Sequence, residues 1–140
     1  MVTCTNCKSA KTVPFANISV SDETTITKVI VKFTGKPCCD MEMKTYLSSI
    51  GELYIKNKMF QILYDASEVG IPSSAQLRQQ SEFMRHHDDQ SQKILRNVAI
   101  VVKSTIARQM LNGLFLLKPP ACPLEVFSDM IQAKLYLKNV

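Results

Sequence analysis

Two apolar periods alternate along this chain, and that alternation leaves few architectures open. Thr25–Phe33 carries Ile26, Val29, Ile30, Val31 and Phe33, a β-branched-rich run that predicts a strand. Thr34-Gly35-Lys36-Pro37 breaks it, and Asp40 is the expected helix N-cap. Met43, Leu47, Ile50 and Tyr54 then recur at the spacing of one helical stripe. Phe60–Tyr64 is a short apolar run suited to a strand buried on both faces. A polar helix is expected from Ser74 to about Leu95, with few inward positions (Leu77, Met84 and Phe83). Val98–Val102 is the most apolar strand. Thr105–Leu117 is predicted helical, with Ile106, Met110, Gly113 or Leu114, and Leu117 inward, and Pro119-Pro120 ends it. Leu124–Phe127 makes a last strand, and Ser128 is placed to cap a helix whose Met130, Ala133 and Leu137 share a face.

Upstream, Phe15–Val20 alternates like a short strand and lies close enough to Thr25 for a hairpin, with Ser21–Thr24 as the turn. The order is therefore β-β-α-β-α-β-α-β-α. Helical crossovers between strands imply an α/β fold with a mixed, mostly parallel sheet of about five strands, the hairpin adding one antiparallel edge. Residues 1–14 read as a polar tail and 15–140 as one domain, with no internal repeat.

Composition narrows the function classes. No apolar run nears the ~18–20 residues that span a bilayer, and Met1–Lys11 lacks the apolar core of a secretory signal. A cytoplasmic protein with no membrane insertion is the expectation. The formal charge of +5 is dispersed among acids, without the basic stripe and interleaved aromatics of a nucleic-acid binder. Nucleic acid is thus not an expected partner.

Five cysteines in such a chain suggest thiols rather than a disulfide framework. Cys4-Thr-Asn-Cys7 and the vicinal pair Cys38-Cys39 could in principle form a metal or redox site. However, structural zinc draws on two separated knuckles, and a redox motif needs a helix start after a strand. His86-His87-Asp88-Asp89 places adjacent imidazoles about 100° apart on a helix, so it reads as a solvated face rather than a metal clamp. No phosphate-binding glycine loop or nucleophile elbow is present, and no nucleophile–base pair follows from spacing. The expectation is a non-enzyme without cofactor or metal.

The order of elements, together with Asp65-Ala66-Ser67-Glu68-Val69-Gly70-Ile71-Pro72-Ser73-Ser74, resembles the STAS domain, the anti-sigma-factor-antagonist fold. It looks most like the small stand-alone SpoIIAA-like proteins of STAS/SEC14 type. Ile62-Leu63-Tyr64-Asp65, Arg96–Val102 and Val126-Phe127-Ser128-Asp129 are similar to that group as well. The resemblance implies a non-catalytic regulatory or protein-binding module. In regulatory members, the loop after the buried strand carries a serine phosphorylated by a partner kinase. Asp65, Ser67 and Val69 match the first half of that loop, and Ser74 falls at the phosphoacceptor position. Ser73 stands where the family has Asp, and Ala75-Gln76 replace Ser/Thr-Gly. A phosphate at a helix start meets unpaired N–H groups and the positive dipole end, while adding about −1.5 to −2 charge to a docking surface. The same residues also spell a capping box, with Ser73 as N-cap and Gln76 three residues on.

Two further expectations concern the helix before Pro119. The SEC14-type association implies a small apolar (lipid-like) ligand, with Met110, Leu114 and Phe115 lining its site. Phe115 and Leu116 fall off the expected inward stripe, and the surplus predicts a homodimer face ahead of a ligand cavity, since self-association requires no unknown ligand.

Overall fold

The computed structural model describes residues 12–22, 26–68 and 73–138. Six strands form one sheet in sequence order: β1 (Thr12–Val13), β2 (Ala16–Asp22), β3 (Thr27–Phe33), β4 (Phe60–Asp65), β5 (Leu95–Val101) and β6 (Leu124–Phe127). The pairs β1–β2 and β2–β3 are antiparallel, and β3–β4, β4–β5 and β5–β6 are parallel. This is the mixed, mostly parallel α/β sheet expected from the sequence. The two-residue β1 extends it, because Val13, within the stretch read as tail, pairs with Ala16 and is buried.

The helices are α1 (Asp40–Ile55), α2 (Ser74–His86), α3 (Asp88–Ile94), α4 (Thr105–Leu117) and α5 (Met130–Lys138). Side chains from α1, α2 and α4 meet one face of the sheet. Val29, Val31, Ile62, Val98 and Ile100 point into this main core, as strand alternation dictates. Leu63, Ala99 and Val101 point the other way and pack against Ala133 of α5. Both faces of β4 and β5 are therefore covered, which is why these strands are nearly uniformly apolar.

Strand ends shift, with β2 running through Ser21 and Asp22 and β5 beginning at Leu95, and three further features differ from expectation, each for a local reason. Cys39, not Asp40, caps α1: its Sγ accepts from Glu42 N at 3.4 Å, while Glu42 Oε1 accepts from Cys39 N at 2.9 Å. Asp129 rather than Ser128 serves the start of α5, its Oδ1 accepting from Ile131 N at 3.1 Å. The polar helix expected from Ser74 to Leu95 is two helices, because His87 leaves helical geometry (φ −102°, ψ 12°).

The inward face of α4 is also rotated by one residue from the expected stripe. Ala107, Met110, Leu111, Leu114 and Phe115 face the core side, whereas Ile106 and Leu117 are exposed. The small Ala107, 3 % exposed, lets the helix start close to the sheet. Phe115 thus belongs to the inward stripe rather than lying off it, and Leu116 is the residue left outside, at 86 % exposure.

Candidate functional site

Between the sheet and the layer of α1, α2, α3 and α4 lies a cavity of 240 Å³. It extends from the carboxyl ends of the parallel strands, near Tyr64 and Val102, to their amino ends, near Leu95 and Leu124. Apolar side chains dominate the wall. Ile62, Val98 and Ile100 form the floor, and Met43, Leu47 and Ile50 of α1 face Met110, Leu114 and Phe115 of α4. The narrow stripe of α2, Leu77, Phe83 and Met84, closes the remaining side.

Several polar groups in the wall are held by hydrogen bonds. Tyr54 Oη lies 2.7 Å from Ser91 Oγ, joining α1 to α3. The buried hydroxyls of Tyr46 and Tyr64 interact, and loss of solvent holds both phenols well above the usual tyrosine range. Gln76 Nε2 donates to the Cys38 carbonyl at 2.6 Å and to Asp40 Oδ1 at 3.3 Å, fastening the start of α2 to the start of α1. Burial pushes the Cys122 thiol up to about 11, which keeps it in the neutral thiol form near neutral pH.

At the amino end of the strands, charge enters the wall. Lys118, just after α4, places Nζ 2.6 Å from Asp88 Oδ1 at the start of α3. Arg85 Nη2 donates to the Leu117 carbonyl at 2.7 Å, tying α2 to the end of α4. The tetrad 86–89 is thus not uniformly solvated. His86 and Asp89 are exposed, but His87 stacks on Tyr54 and Asp88 is half-buried against Lys118.

The loop residues expected to carry a switch are placed as follows. Asp65 ends β4, and its Oδ1 accepts from Ser67 N at 3.1 Å and from Ser67 Oγ at 2.5 Å. Together with Glu68, Lys32 and Lys103 they line a shallow cleft at the carboxyl ends of the strands. Ser73 caps α2, its Oγ accepting from Gln76 N at 3.1 Å while Gln76 Oε1 accepts from Ser73 N at 3.0 Å. Ser74 is exposed in the first turn. The geometry joins Asp65 to Ser67 and Ser73 to Gln76, and no hydrogen bond between described residues links the two pairs. Val69 lies outside the described residues, as do Cys4 and Cys7 of the metal or redox alternative. Among the described residues, no group of three His, Cys, Asp or Glu side chains could hold a metal ion, and no helix is long and apolar enough to cross a membrane.

Lys118 and Asp88 were not legible as site residues from spacing, because they meet at the cavity through pairing between elements distant in sequence, whereas Tyr54 and Gln76 were legible only as an inward position and a cap partner.

No protein-family model matches this sequence, and the comparison with curated proteins likewise finds no match. Solved structures do match. A protein of the DUF3478 family with a SpoIIAA-like fold, from Shewanella loihica, superposes with a TM-score of 0.65 at 15% identity, over 91% of this chain and 97% of that one. An anti-sigma factor antagonist from Mycobacterium paratuberculosis superposes with a TM-score of 0.54 at 14% identity, over 92% and 99% respectively. At such identities the likeness establishes the fold.

Proposed function

From this SpoIIAA-like, STAS-type fold, we propose that the protein is a non-catalytic regulatory module that binds a small apolar ligand between its sheet and its helical layer. The observation that carries the reading is the cavity of 240 Å³ with a mostly apolar wall and a few placed polar groups. Close-packed interiors contain few voids larger than a water molecule. An apolar cavity of about 150 Å³ accommodates benzene, so this one suits a molecule of about ten heavy atoms. Pockets lined by apolar side chains with a few placed polar groups are the usual form of small-molecule sites.

The test uses 2-naphthol, which has the required size and whose own fluorescence reports transfer out of water. Saturable one-to-one binding to the wild-type chain is expected. Ala107→Leu adds three carbons to the wall beside α4 and is expected to weaken binding at least tenfold. Equal binding by this variant, with circular dichroism unchanged, contradicts the reading.

A second reading, recognition of a protein partner, is favoured by the exposed first turn of α2 beside the carboxyl end of β4. One structural neighbour is an anti-sigma factor antagonist, which supports a protein surface at this rim, with Asp65, Ser67, Ser73 and Ser74 as its residues and phosphorylation of Ser74 as its switch. Phosphopeptide analysis of the native protein tests it: phosphate on other serines and never on Ser74 removes the switch.

A further inference from the structure

We infer that the ligand is a medium-chain monocarboxylate whose tail fills the cavity and whose head is bound by Lys118. This deepens the ligand-binding reading and rests on it.

The inner wall is mostly apolar, and several of its polar groups are already engaged. Tyr54 is engaged by Ser91, Tyr46 by Tyr64, and the Gln76 amide by the Cys38 carbonyl and Asp40. A polar head placed among them would lose its water for few replacement hydrogen bonds. The interior therefore selects a hydrocarbon tail.

Lys118 differs from these groups. An ammonium carries three N–H donors: one bonds the Pro119 carbonyl at 2.6 Å, and the charge is paired with Asp88 Oδ1 at 2.6 Å. No further hydrogen bond from Nζ is made to a described residue. Arg85, bonded to the carbonyl of the preceding Leu117, brings another positive charge to the same corner. Lys118, Arg85 and Asp88 thus sum to one positive charge at the edge of an apolar chamber, which a single carboxylate neutralises. The Lys118 side chain is only 15% exposed, so a charge-assisted hydrogen bond there is screened less than at an open surface. Lys36, which also borders the cavity, is exposed and offers a carboxylate far less. Octanoate, with eight carbons and two oxygens, has about the number of heavy atoms the cavity holds.

The experiment measures displacement of 2-naphthol by octanoate and by 1-octanol, the same chain without the charge, in the wild type, Lys118→Met and Asp88→Asn. Octanoate is expected to displace the probe at about tenfold lower concentration than octanol from the wild type, the gain typical of one charge-assisted hydrogen bond. Lys118→Met is expected to abolish that preference without changing octanol. Asp88→Asn, which removes the competing carboxylate, is expected to raise octanoate affinity and leave octanol unchanged. It remains decisive if Lys118→Met fails to fold. Equal potency of the two compounds, failure of both to displace bound 2-naphthol, a preference surviving in Lys118→Met, or no gain in Asp88→Asn overturns the carboxylate assignment while the cavity reading stands. If 2-naphthol itself does not bind, the cavity reading falls, and this inference with it.

Discussion

The imidazole of His87 lies flat against the ring of Tyr54, with centroids 4.3 Å apart and planes 13° apart, where α2 gives way to α3. Partial burial lowers the His87 pKa from its ordinary 6.5, with His86 nearby acting in the same direction and the Nδ1 contact to Gln90 Oε1 opposing it. Below 6.5 the unfolded chain takes up a proton that the folded chain resists. The stabilising contribution is therefore complete above that pH and declines as pH falls through the lower folded value. Denaturation midpoints measured between pH 7.5 and 5 are expected to decrease, and His87→Gln is expected to flatten the part of that slope due to this residue. An unchanged slope in the variant contradicts the assignment.

Ser73 and Ser74 are neighbours with different roles, and substitution separates them. Ser73→Ala removes the acceptor for Gln76 N and loosens the side chain that ties α2 to Cys38, at a cost of about 1 kcal/mol. Ser74→Ala, at an exposed position, is expected to stay within about 0.5 kcal/mol. Urea titrations of the two variants check this. Equal losses would mean that the cap is shared.

Gly35 turns the chain between β3 and α1 with φ +81°, and a Cβ there would approach the Glu68 carbonyl oxygen to 3.1 Å. Gly35→Ala faces both the left-handed backbone cost and this close approach, and is expected to destabilise by about 1–2 kcal/mol. A variant as stable as the wild type shows that the turn can reorganise.

Beneath α5, Gln61 Nε2 donates to Asn97 Oδ1 at 2.9 Å and to the Leu137 carbonyl at 3.1 Å. Gln61→Leu leaves both acceptors without this donor in a buried site, at a cost of about 2–3 kcal/mol. Faster amide exchange over 133–137 should accompany the loss. Gln61→Leu with Asn97→Leu is expected to be less harmful than the single change, since both buried polar groups are then removed. Loss of stability without faster exchange in α5 contradicts this account of how the helix is held.

The fold was legible where pattern and local chemistry agree. Val98–Val102 and Phe60–Tyr64 are apolar because helices cover both faces of the sheet there, and the spacing of Met43, Leu47, Ile50 and Tyr54 is the inward stripe of α1. What escaped the sequence depended on packing. Either Ile106 or Ala107 could begin an inward stripe on α4, and the choice fell to the smaller residue against the sheet. The break at His87 has no glycine or proline to announce it. Asp88 and Lys118 lie thirty positions apart, and their pairing follows from topology rather than spacing. Met110, Leu114 and Phe115 were recognisable as an apolar group, but the chamber they line is created by α1 and α2 as well.

The most direct measurement of the central claim is a methyl-resolved NMR titration of the full chain with 2-naphthol. Met43, Met110, Leu111 and Leu114 line the cavity, whereas Ile131 and Leu135 are exposed on α5, across the sheet. Saturable shifts of the four cavity methyl-bearing residues, with Ile131 and Leu135 unmoved, are the predicted result. Shifts centred on Ile131 and Leu135, or no saturable shift at the cavity residues, would contradict the account.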